Sequence, residues 1–134
     1  MTKVRLFLAD RRGDWSELTD GDQRTVRVAA SDLQQARRAR ARIRALGEDV
    51  AVILDITVAV AGDFRSARSA LGPADDTVHY AGTVDGLAGL ISDISRADVA
   101  DGVTLIPASP RQDLRTLGRD VLHLLASRDQ PRAS

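Results

Sequence analysis

Hydrophilic side chains at alternate positions of otherwise aliphatic runs are where this sequence could do chemistry. Asp55 and Thr57 interrupt the run 50–61, Arg27 lies between Val26 and Val28, Arg5 between Val4 and Leu6, and Thr104 between Val103 and Leu105. Successive side chains of an extended chain point to opposite faces. Val50, Val52, Leu54, Ile56, Val58 and Val60 then share one face, and Ala51, Ile53, Asp55, Thr57, Ala59 and Ala61 the other. If every aliphatic side turns toward covering helices, Arg5, Arg27, Asp55, Thr57 and Thr104 converge on the far side of the sheet. A charge buried without a partner is expensive, so such a face must be wet, internally paired or occupied. Three uses are open: an Arg27–Asp55 pair filling a structural gap, a self-association face, or a small-molecule site using Arg27, Asp55 and Thr57.

Other chemistry-bearing residues weigh less. Gly82-Thr83 is a glycine turn entering a helix, where exposed amides could hold an anion. Asp85 in the first helical turn opposes one, and a single glycine is no phosphate fingerprint. His79 and His123 are the only histidines. They are far apart in sequence, and His123 falls opposite the apolar stripe of its helix, so neither suggests a metal site. Arg37, Arg38, Arg40, Arg42 and Arg44 are the densest basic run. Arg37, Arg40 and Arg44 line up beside the apolar stripe, and a solvated Arg/Ala face explains the run better than nucleic acid does. No serine elbow, zinc-protease motif or paired-carboxylate spacing appears, and no catalytic residue is assigned.

The elements that must position these groups alternate. Residues 4–8 read as a strand, 9–24 as a long polar loop, and 25–30 as a strand. Ser31 and Gln34 have capping-box spacing before a helix with Leu33, Ala36, Ala39, Ile43 and Leu46 on one face, ended at Gly47. The 50–61 strand is followed by a short helix over 64–71 and an extended segment over 78–80. Thr83 caps a helix carrying Val84, Leu87, Ile91 and Ile94. A strand over 102–107 leads through Pro110 and Asp113 into a last helix with Leu114, Leu117, Val121 and Leu124. Such alternation predicts an α/β fold, a mainly parallel sheet of three or four βα units in one domain over 1–126, with a polar tail from 127 to 134.

The chain has 134 residues, 43% hydrophobic and 28% charged, enough for one real core. Aromatic residues are 3% of the total, so that core is aliphatic. Lys+Arg and Asp+Glu balance at 19 each, and no global field favours nucleic acid or an anionic membrane. Without cysteine there are no disulfides or thiolate chemistry. No signal-like run and no apolar stretch of about 20 residues occurs, which makes the cytoplasm the expected compartment.

The second half resembles a known family. His79-Tyr80-Ala81-Gly82-Thr83-Val84-Asp85 before an amphipathic helix is similar to the glycine turn of luciferase-like flavin monooxygenases. The run Ala100-Asp101-Gly102-Val103-Thr104-Leu105-Ile106-Pro107, followed by Pro110, Leu114, Val121, Leu124 and Leu125, resembles that family's last barrel strand and final helix. Val84 and His123 stand where the family usually has proline. The resemblance covers the chain from about Thr25 onward and implies a partial, C-terminal (β/α)8 barrel related to FMN- or F420-dependent oxidoreductases. A full barrel needs about 250 residues. The family's flavin-binding N-terminal strands have no counterpart here, and no flavin residue carries over by position. The implied protein works with a partner carrying the missing barrel half; the alternative is a non-enzymatic domain that forms a homodimer through the open polar face.

Overall fold

The computed structural model describes residues 4–10, 14–47, 49–60, 77–108 and 112–129. Six strands and three helices occur among them: β1 (Arg5–Ala9), β2 (Trp15–Glu17), β3 (Thr25–Val28), α1 (Leu33–Ala45), β4 (Ala51–Val60), β5 (Val78–Gly82), α2 (Val84–Arg96), β6 (Gly102–Pro107) and α3 (Leu114–Asp129). They build an α/β fold with a curled, mixed sheet in the order β2-β1-β6-β4-β3, and β5 also pairs with β4. Every pairing is parallel except that of β2 with β1. The helix expected over 64–71 lies outside the described residues, as does Pro110.

β4 is the hub. β6 pairs with its residues 53–58, while β3 and β5 pair with 51–54 and 56–60. Because β6 overlaps both stretches, it occupies one edge of β4, and β3 and β5 follow each other along the opposite edge. Asp55 falls at the joint between them.

The aliphatic side of the sheet is the helix side. Leu6, Leu8, Leu54, Ile56, Val58, Val103 and Leu105 form one buried cluster with Ala36 of α1, Leu87, Ile91 and Ile94 of α2, and Leu117, Val121 and Leu125 of α3. The last helix thus buries Leu125 where the sequence pattern put Leu124, which is only partly covered. Phe7, Ala51 and Ile53 form a separate small cluster on the other side. The helices among the described residues therefore cover one face only.

Local chemistry explains most boundaries. Thr83 caps α2, its side chain accepting from the Gly86 amide. At α1 the cap is Asp32, which accepts from the Gln35 amide at 2.8 Å. Ser31 is one position too early and instead donates its hydroxyl to Gln35 Oε1. Gly47 adopts a φ of 77°, the left-handed turn that follows a helix. Leu46 is 77% exposed and not part of the core stripe expected of it: α1 has already reached its C-cap there.

The stretch 9–24 holds a strand that composition does not reveal. Three-residue β2 pairs antiparallel with β1, Phe7 opposite Glu17 and Ala9 opposite Trp15. A segment that short has no detectable period, and beyond the ladder it is tied to β1 by the Asp10 amide donating to the Asp14 carbonyl.

Candidate functional site

Register fixes which side chains share the helix-free face. Phe7 pairs with Thr104, Thr104 with Asp55, Arg27 with Ile53, and Thr57 with both Ile106 and His79. Laterally paired residues point the same way, so Arg5, Arg27, Asp55, Thr57 and Thr104 all lie on this face. They do not form one cluster.

Arg5 is consumed by its own loop. Its Nε and Nη2 donate to the two Glu17 carboxylate oxygens at 2.9 and 2.6 Å. Nη1 and Nη2 also donate to the carbonyls of Gln23 and Gly21. These bonds hold the Glu17 carboxyl below its ordinary range, against the upward push of burial. Arg5 thus ties residues 17–23 over the N-terminal end of the sheet.

Arg27 donates Nε to Asp55 Oδ1 at 2.7 Å. Thr57 shares a hydroxyl hydrogen bond with Thr77 at 2.6 Å. Thr104 accepts from the Trp15 indole N–H at 2.9 Å and is wholly buried. Trp15 lies flat on Phe7, ring centroids 4.5 Å apart and planes 10° from parallel. The Arg27 guanidinium sits 5.6 Å from the Trp15 ring centre, within cation–π range. Trp15 therefore roofs part of the face that the strand alternation alone would leave open. Asp55 and Thr57 are also nearly buried.

At the Gly82-Thr83 turn the space beside the glycine is taken by Tyr80. Tyr80 donates its hydroxyl to the Thr83 carbonyl at 2.9 Å. A Cβ on Gly82 would fall 2.5 Å from that hydroxyl oxygen, so the tyrosine fills the space a ligand would need. Tyr80→Phe is expected to cost about 1 kcal/mol, measured by thermal unfolding, and added inorganic phosphate should protect neither protein. Phosphate protection of the parent would restore the anion site.

Near this turn a hollow of about 440 Å³ opens over Val60, Val84 and Leu117, rimmed by Thr83, Gln112, Asp113, Thr116 and Asp120. Gln112 Oε1 accepts from the Val60 amide, and Asp113 is committed to the amide and hydroxyl of Thr116 at the start of α3. Those two bonds hold the Asp113 carboxyl below its usual range. The rim is thus acidic. With the turn filled by Tyr80, the residues present do not fit a flavin phosphate.

The pattern also missed Asp101. It accepts from the Val52 amide at 2.8 Å and from Arg40 and Arg44 at 3.0 Å each. Two arginines of the supposedly solvated row therefore clamp α1 to the sheet, while Arg37, Arg38 and Arg42 are exposed. His123 is exposed. Among the described residues no group of three or more His, Asp and Glu side chains could hold a metal ion, and no helix is long and apolar enough to cross a membrane.

The described residues form an α/β fold, with three helices on one side of a curled, mixed sheet and a partly roofed polar face on the other. No family model matches the chain, and no curated protein does.

Proposed function

We propose that this chain is a half-barrel related to the C-terminal part of luciferase-like, FMN- or F420-dependent monooxygenases, and that it enters an oxidoreductase only in combination with a chain carrying the missing half. One observation carries this reading: β3, β4 and β6 are spatial neighbours in sequence order, β1 lies beyond β6, and all the helices described cover one face. In a (β/α)8 barrel neighbouring strands are likewise parallel, the helices ring the outside and the helix-free face lines the interior. β5 departs from that series: it follows β4 in the chain but pairs along the β3 edge of β4, leaving β6 as the neighbour on the other edge. The motifs around 79–85 and 100–125 point to the same barrel segment. Because the glycine turn is filled and the adjoining rim is acidic, any flavin is held by the partner chain.

A second reading is favoured by Trp15, one of two large hydrophobic side chains left exposed among the described residues. Trp and Arg dominate the energetics of protein interfaces. A homodimer through the helix-free face would bury Trp15 and Arg27 together, with no enzymatic role.

Size-exclusion chromatography with light scattering, with and without FMN, separates the two. The half-barrel reading expects a colourless monomer that does not retain FMN alone. A stable dimer, shifted toward monomer by Arg27→Ala or Asp55→Ala, supports the second reading and overturns the first. Purified yellow protein would contradict both.

A further inference from the structure

We propose that Arg27 and Trp15 form a site for a small planar carboxylate on the helix-free face. The site is a property of the single chain and does not rest on the half-barrel reading.

Arg27 is oriented before any ligand arrives. Its Nε is held by Asp55, a nearly buried carboxylate, and its Cζ lies over the Trp15 ring, 5.6 Å from the centroid. The ring is itself fixed by the stack on Phe7 and the bond to Thr104. Both terminal nitrogens of Arg27 find no partner among the described residues, and the side chain is 35% exposed. A guanidinium engaged only through Nε still presents its Nη1/Nη2 edge, whose spacing matches the two oxygens of a carboxylate.

The indole beside that edge favours a flat body on the ligand. Trp15 is 36% exposed and cannot turn away without losing Thr104. An aromatic acid can place its carboxylate on Arg27 and its ring against the indole edge, at offset-stacking or edge-to-face distance. Asp55 counters the local positive charge, which selects against multiply charged anions such as phosphate esters and leaves geometry to favour a single carboxylate.

Trp15 is the only tryptophan in the chain, so its indole N–H gives one unambiguous signal in a proton–nitrogen correlation spectrum. The probe is benzoate, titrated to tens of millimolar, against benzyl alcohol, which keeps the ring and lacks the carboxylate. Benzoate should move the Trp15 signal saturably, and benzyl alcohol should leave it in place. Arg27→Lys keeps the charge beside Asp55 but loses the fork; it should retain the parent's spectrum elsewhere and bind benzoate about tenfold more weakly or worse. Equal shifts with both compounds, a linear benzoate response, or unchanged affinity in Arg27→Lys would each overturn the proposal.

Discussion

Asp101→Ala is expected to lower stability by about 3 kcal/mol, read as an earlier urea midpoint with an unchanged slope. The carboxylate binds three donors from two elements: the Val52 amide of β4 and the guanidinium groups of Arg40 and Arg44 on α1. Its own backbone joins in, the Asp101 amide donating to Val52 and the Asp101 carbonyl accepting from Arg5. α1 has only Ala36 fully buried, so hydrophobic contact alone holds it weakly. Removing the carboxylate strands the Val52 amide and leaves two part-buried arginines unpaired, and that desolvation is the main cost. Asp101→Asn keeps an acceptor without the charge and should fall between parent and alanine variant.

The same carboxylate makes a pH signature. Burial pushes the Asp101 carboxyl up, but the Val52 amide and the two arginines outweigh it, and the group ends below its ordinary value. A depressed folded-state value means the contribution is complete above the unfolded value of about 3.9 and fades as pH falls through the lower folded one. Parent and Asp101→Ala should therefore differ fully near neutrality and converge in strong acid. A constant gap across that range would show that the carboxylate's charge is irrelevant.

Gly102→Ala should be nearly as damaging, by about 3 kcal/mol. Gly102 opens β6 between Arg5 of β1 and Ile53 of β4. A Cβ there would fall 2.5 Å from the Arg5 carbonyl oxygen and 2.9 Å from both Arg5 Cβ and Ile53 Cδ1. The oxygen belongs to the backbone and cannot swing aside, so β1 must move away from β6. That movement would also disturb Arg5 and the Glu17 loop it holds, and Trp15, anchored on β2, should show it as a change in fluorescence. Thermal unfolding near that of the parent would mean that the sheet absorbs the methyl group by a small slide.

Much of the fold was legible because it depends on periodicities within single segments. The alternation in β4 separates Leu54, Ile56 and Val58 from Ile53, Asp55 and Thr57, and neighbouring strands in parallel register carry that division across the sheet. The α2 stripe of Leu87, Ile91 and Ile94 and its Thr83 cap are equally local. The Arg27–Asp55 contact, one of three uses open for those residues, needed β3 to lie beside β4 with Arg27 level with Ile53, one diagonal step from Asp55.

What the tertiary structure alone decided are contacts between segments that carry no mark of one another. Nothing in Trp15-Ser16-Glu17 announces a strand, because its ladder partner is β1 and its indole partner Thr104 is 89 residues away. Arg40 and Arg44 read as solvent-facing until Asp101, 61 and 57 residues further on, is brought against them. Gly82 reads as ligand-friendly until the Tyr80 hydroxyl occupies the space its missing side chain leaves. Side-chain pattern along one element reports which way that element faces. Which charges are neutralised, which gaps are filled and what remains free to bind depends on through-space distances, and those exist only once the chain has closed on itself.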